Sequence, residues 1–403
     1  MRRLLAKLRV SALPLVTVLA VAAAFFAPMP EGHARHNASS VRARVLSVDD
    51  SSLEMHGLVK YGSQVLEVEI LQGDRKGERF LATNLVRAQM ELDKFFEAGD
   101  IITVALPDNA EPGAMLVARD HWRIGWIAAG FGAFALLLVA FGGMVGANAL
   151  ASFAFACVVI WRFVVPLALC GVNATLVAFS ATAILTAAIM FLVGGLTRKA
   201  LAAFCGAMLG VVAALLLAHF FGEALKINGA TLPFAQTLVY SGFADLDLAD
   251  VFVAATILAG SGAMMDLSMD ISAGVREVAR HSPGIGFRAL FLSGLRIGRA
   301  TVGTMTTTLL LAYSGGYLTL LMVFYAQGTP LADCLSSPIV AAEVAKTLVG
   351  SLAIVLVAPF TAIVSAYLFS SRTNSCGPDR TANAPVCAPP RPQASPSPAS
   401  QSR

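Results

Sequence analysis

Runs of about twenty mostly apolar residues recur along this chain, and no other feature limits its fold as much. A helix of that length covers the roughly 30 Å of a bilayer's hydrocarbon. The runs fall at 11–28, 123–142, 149–169, 174–195, 200–221, 250–269, 303–325 and 347–369. Of the 403 residues, 57% are hydrophobic and 13% charged, whereas soluble domains carry about 25% charge. That balance excludes a water-soluble enzyme with one large core, a disordered chain and a disulfide scaffold. It specifies a polytopic α-helical membrane protein with about eight transmembrane helices.

Charge placement predicts the orientation. Residues 31–121 hold ten Lys/Arg against fifteen Asp/Glu, and the remaining cations cluster beside the apolar runs. Arg2, Arg3, Lys7 and Arg9 precede the first run, and Arg198 and Lys199 separate two others. Arg276, Arg280, Arg288, Arg296 and Arg299 fill the stretch 270–302, and further arginines come after the last run. Such clusters mark cytoplasmic loops. Alternation from a cytoplasmic N-terminus places all of them inside, with both termini cytoplasmic. The loops expected outside, 222–249 and 326–346, carry Glu223, Asp245, Asp247, Asp333 and Glu343 with few cations. The net charge of +4 therefore reports topology. No Lys/Arg stripe interleaves with aromatics, so no nucleic-acid partner is expected.

Residues 1–30 read as an uncleaved signal anchor, with a secretory signal peptide as the alternative; either exports the segment C-terminal to it. The exported stretch 40–118 reads as a small, barrel-like β-domain between helices 1 and 2. Its runs VRARVLSV, QVLEVEIL, RFLATNLV and DIITVAL alternate and are rich in β-branched residues. The expected interior is Val41, Val45, Val65, Val68, Ile70, Phe80, Ile102 and Val104. Residues 72–78, QGDRKGE, read as a turn in which Gly73 and Gly77 take positive φ. Residues 123–370 form the remaining seven-helix transmembrane domain, and 371–403 a disordered Pro/Ser-rich cytoplasmic tail.

From Gly260 onward the chain resembles the YibE/F-like family of bacterial membrane proteins. GSGAMMDLSMDISAGVREV (Gly260 to Val278) and GLRIGRATVGTMTTTLLLAYSGG (Gly294 to Gly316) carry the likeness. VVPLALCGVN, LQGDRKGERFLATNL and LDKFFEAGD support it, over about Val41 to Tyr367. Two positions depart from the family pattern: Ala300 stands where an acidic residue is usual, and Thr307 where Asn is usual. The resemblance implies several spans, an exported β-domain, a bacterial cell membrane and a permease-like role.

The polar residues inside the apolar runs are the candidates for chemistry. On a helix Asp266, Asp270 and Glu277 fall within about 40° of one another. A carboxylate at membrane depth costs on the order of 2.5–3.5 kcal/mol and is a functional candidate for that reason. The competing reading ends the span near Met265 and pairs the acids with Arg296 and Arg299. Thr301, Thr304 and Thr308 share a face, with Thr306 and Thr307 adjacent. With Asp266, Asp270 and Arg299, the residues Thr304, Thr307 and Thr308 are expected to line a polar transport site. The small residues 260–263 serve close packing or, less commonly, a helix break. Arg162 is expected to snorkel to the headgroups.

No catalytic Cys/His, nucleophile-elbow or metal-ligand pattern occurs, so neither an enzyme nor a cofactor is expected. Two functions remain. One is a transporter of an ion or small solute, and the other is a scaffold or signalling protein whose 40–118 domain binds an envelope protein or wall component. The partner common to both is the lipid bilayer.

Overall fold

The computed structural model describes residues 38–90, 92–107 and 113–370. The expected anchor at 11–28 and the tail at 371–403 lie outside the described residues.

The N-terminal part is a small barrel of β1 (Ala38–Asp49), β2 (Leu53–His56), β3 (Val59–Ile70), β4 (Arg79–Arg87), β5 (Ile101–Pro107) and β6 (Met115–His121). The long strand β1 pairs with both β3 and β5, bending at a register shift between Val45 and Ser47. β5 then joins β6, β6 joins β4 and β4 joins β3, which closes the ring; β2 is a hairpin flap on β3. All pairings are antiparallel except β4–β6, where Leu81 lies opposite Met115. This is the connectivity of the five-stranded Greek-key barrel of OB type.

Strand alternation fills the barrel with Val45, Leu66, Val68, Ile70, Phe80, Ile102 and Val104. Val65, expected inside, is turned outward, and Leu66 takes its place. Positions 65 and 68 differ by an odd number, so a regular pleat cannot point both inward. Gln64 and Asn84 are also buried, and they tie the segment after β4 across the barrel mouth. Gln64 accepts from the Phe96 amide (3.1 Å), Asn84 donates to Gln64 (2.9 Å), and Phe96 is 2% exposed. Gly73 and Gly77 adopt φ of 90° and 88° in the turn before β4.

The rest is helical: α1 (Ile124–Leu169), α2 (Ala174–Gly194), α3 (Arg198–Ala224), α4 (Ala235–Tyr240), α5 (Leu248–His281), α6 (Phe287–Gly316), α7 (Leu318–Ala326), α8 (Leu331–Ser336) and α9 (Pro338–Ser370). Five of these (α1, α2, α3, α5 and α9) are long and apolar enough to cross a membrane, or six if α6 and α7, bent by 64°, form one span. That is fewer than the eight expected, partly because 11–28 is not described and partly because α1 is not straight. At Gly143 the backbone takes φ 53°, ψ −130°, a conformation that a residue with a Cβ rarely adopts. The two arms fold back together. The Phe131 and Phe153 rings lie 5.8 Å apart, where a straight helix would separate them by about 33 Å. A π turn at Ile160–Val164 in the second arm precedes Pro166, whose missing N–H disrupts regular α-helical bonding.

α3, α5 and α9 make the centre of the bundle. Small residues let them approach closely, as membrane helices require. A Cβ on Gly206 would stand 2.2 Å from the Thr361 hydroxyl, and one on Gly210 1.9 Å from Val357. Ser268 and Thr361 share a buried hydrogen bond across α5 and α9 (3.3 Å).

The connection expected at 270–302 is mostly helix. α5 continues to His281 and α6 begins at Phe287, so only a short link remains. Likewise α9 begins at Pro338, inside the loop expected at 326–346. Helix ends that project beyond the hydrocarbon carry charge, so hydropathy alone cuts them short.

Candidate functional site

α5 is the helix that positions the acids. Along one side it packs on α2, with Met265 joining Met190 in a small core and Met269 beside Gly194. Along another it packs on α6, with Gly274 against Ile297, Val275 against Gly294 and Ile271 against Gly298. Between those contact stripes Ala259, Gly262, Asp266 and Asp270 remain exposed. At about 100° per residue they fall on one strip. The result is an exposed strip along α5, flanked by its contacts with α2 and α6.

Depth is set by a contact with α3. Ser272 donates to the carbonyl of Lys199, in the first turn of α3, at 2.8 Å. Asp270 lies near that level. Asp266, six residues before Ser272 on the helix, is about 9 Å deeper in the bundle. Among the described residues no ion pair joins either acid to Arg296 or Arg299. α5 is unbroken through 260–263, where Gly260 meets Met264 and Gly350 and Gly262 faces open space.

The threonines divide. Thr301, Thr304 and Thr308 lie four, seven and eleven residues beyond Ile297, hence on its side of α6, toward α5. Carrying the antiparallel register outward from Gly298 and Ile271 brings Thr304 to the level of Asp266. Thr307 is about 80° off that face, and Arg299, two residues from Ile297, is almost opposite it. By this helical geometry Thr304 and Thr308 fall on the side of α6 turned toward α5, and Arg299 and Thr307 fall on other faces. Thr304 donates to the Thr301 carbonyl and Thr308 to the Thr304 carbonyl, each at 2.9 Å. Their protons are used within the helix, and their oxygen lone pairs stay available.

Two polar clusters at the other end of the bundle escaped the sequence reading. Asp250, in the first turn of α5, accepts from the side chains of Asn173 (2.5 Å) and Thr175 (3.2 Å). Asn173 also caps α2 through Leu176. On α9, Glu343 and Lys346 form an ion pair at 2.5 Å with side chains only 13% and 12% exposed, and the ammonium lies 5.5 Å over the Phe252 ring. An opposite-charge pair three residues apart shortly after Pro338 was the available signal, since Pro favours a helix start.

Several apolar helices of membrane-crossing length with a small β-barrel ahead of them define a multi-pass membrane protein. Residues 131–371 match the YibE/F-like protein family, and the chain belongs to that family. No curated protein and no solved structure matches it.

Proposed function

We propose that this protein carries a cation, a proton or a cationic small solute across the bacterial cell membrane, with Asp266 as the central group of its path. The observation that carries the reading is a carboxylate about 9 Å inside the level of Lys199, on an exposed strip of α5 and without a cationic partner among the described residues. Such a group is costly in hydrocarbon unless the path it lines is polar. Threonine oxygens on the side of α6 turned toward α5 add acceptors and no free protons, which suits a cation or a donor-rich solute. On this reading the protein is a carrier and not an enzyme. The reversal at Gly143 divides α1 into two crossings, giving seven between 123 and 370 and eight with 11–28. The arginine-rich end lies in the cytoplasm with both termini, and the barrel lies outside.

Purified protein in liposomes is the test. Asp266→Asn abolishes flux of the transported ion while insertion and yield are unchanged, whereas Asp270→Asn, near the Lys199 level, retains most of it. Flux that survives Asp266→Asn intact refutes the reading.

A scaffold role has one observation in its favour. The barrel's flap and the segment after β4 expose Met55, Leu58 and Met90 at 71%, 97% and 83%, an apolar patch fit to meet an envelope partner. On that reading deletion of 40–118 removes the phenotype and Asp266→Asn is silent.

A further inference from the structure

The break between α6 and α7 opens a second site, on the far side of α6 from the acidic strip of α5. Tyr313 stands sixteen residues past Ile297, about 160° around the helix from the face turned to α5. There the end of α6, the start of α7 and the first turns of α9 line a half-open cavity of about 260 Å³, the space of roughly nine water molecules. Leu310, Leu320, Leu321, Val340, Val344 and Leu348 are among the residues lining it, and the lining is overwhelmingly apolar. Water has little to bond to on such a surface, so the cavity favours an apolar occupant.

Its polar features are few and specific. Ser314 and Thr347 both donate back into their own helices, to Leu310 (2.7 Å) and Glu343 (2.9 Å). Glu343 is held by Lys346, and Tyr317 lies beside the same carboxylate. That leaves the Tyr313 hydroxyl, which is buried and has no hydrogen-bond partner among the described residues. An orphaned buried hydroxyl is destabilising, so a ligand acceptor placed there is favoured. Glu343 nearby opposes an anionic head. A neutral oxygen, such as an ester carbonyl or an alcohol, meets both conditions.

We infer that this cavity binds one hydrocarbon chain of a neutral-headed acyl amphiphile, with the Tyr313 hydroxyl donating to the ester or alcohol oxygen. The cavity wall residue Leu321 is itself 41% exposed on α7, next to Met322 (61%), which leaves the chain a route in from the bilayer. The same chemistry is offered by a membrane glycerolipid or by a free fatty alcohol.

The full-length protein is reconstituted in nanodiscs of phosphatidylethanolamine and phosphatidylglycerol, doped with phosphatidylcholine bearing a diazirine in one acyl chain. After irradiation, adducts are mapped by peptide mass spectrometry. Labelling concentrates in 310–321 and 340–348 relative to the lipid-facing arm 124–142. Val344→Trp, which fills the cavity, removes that excess, and Val344→Leu reduces it should the tryptophan variant fail to insert. Tyr313→Phe keeps the cavity's shape and lowers occupancy about fivefold, the effect of one neutral hydrogen bond. Competition by 1-decanol assigns the site to free amphiphiles, and its absence assigns it to bilayer lipid; both outcomes support an acyl site. Adducts spread evenly over the lipid-facing helices, or unaltered by the Val344 and Tyr313 substitutions, overturn it.

Discussion

At the scale of single residues, what decides a carboxylate's role is the set of groups that face it. Asp120, at the end of β6, is an ordinary structural acid. Its partial burial works to raise its pKa, but the His121 amide (2.8 Å), Arg123 (2.6 Å) and Lys94 (3.5 Å) outweigh that and hold it below the usual carboxylate range. A group whose folded pKa is depressed stabilises the fold above its unfolded value, and that contribution is lost as pH falls through the folded value. Thermal melting of the purified protein should therefore fall on acidification below about pH 4, and Asp120→Asn should lower the neutral-pH melting point and flatten that part of the profile. An unchanged profile would mean that the cluster adds nothing. Among the described residues Asp266 has no such partners. Its presence on a helix was legible from the spacing of Asp266, Asp270 and Glu277. Its depth was not, because the apolar run closes at 269 while the helix continues to His281. Depth came from one hydrogen bond, Ser272 to Lys199, between residues 73 apart in sequence. The same limit hid the Asp250 and Glu343 clusters, whose partners sit on other turns or other helices.

At the scale of elements, the sequence marks where helices begin to be apolar more clearly than where they bend. The runs 123–142 and 149–169 were separable because glycines and Asn148 interrupt them, yet regular helical bonding runs so nearly through the join that only Gly143 breaks it. The two arms consequently form a hairpin on the edge of the bundle. Cysteines at positions 131 and 153 should crosslink under mild oxidation in the membrane. In one straight helix they would stand about 33 Å apart and would not react within a single chain. Gly143→Val should weaken the crosslink, since a β-branched residue at that φ and ψ costs about 1–3 kcal/mol. Crosslinking confined to dimers would refute the hairpin. The strands were legible for a simpler reason: period-two alternation in β3, β4 and β5 records burial directly. β2 is only four residues long and faces outward, so alternation says little about it, whereas β6 alternates at Leu116 and Ala118 but ends in the charged Arg119-Asp120-His121.

At the scale of the whole molecule, contacts sort the connections to two ends. Residues 171–174 and 245–247 line one hollow with Asp250, and Gln89, Met90 and Leu92 of the barrel line another with Ala230 and residues 232–237, so these belong to one end. Asn148 bonds to the Leu192 carbonyl, Gly194 meets Met269 and Lys199 meets Ser272, which places 143–148, 195–199 and the α5–α6 link at the other. Asp245, Asp247 and Asp250 fall at the first end, and Arg198, Arg276, Arg280 and Arg288 at the second. Folding brings together charges that are scattered in sequence, and the asymmetry is what the positive-inside rule acts on. The orientation is therefore testable apart from transport. In intact cells, single cysteines replacing Ser241 or Ala244 should react with a membrane-impermeant maleimide, whereas one replacing Ser282 should react only after permeabilisation. The reverse pattern would put the arginine-rich end outside and reverse the side of the membrane to which Asp266 lies nearer. Labelling of all three sites from outside would disprove a transmembrane arrangement of α5, and with it any account in which Asp266 lies between two compartments.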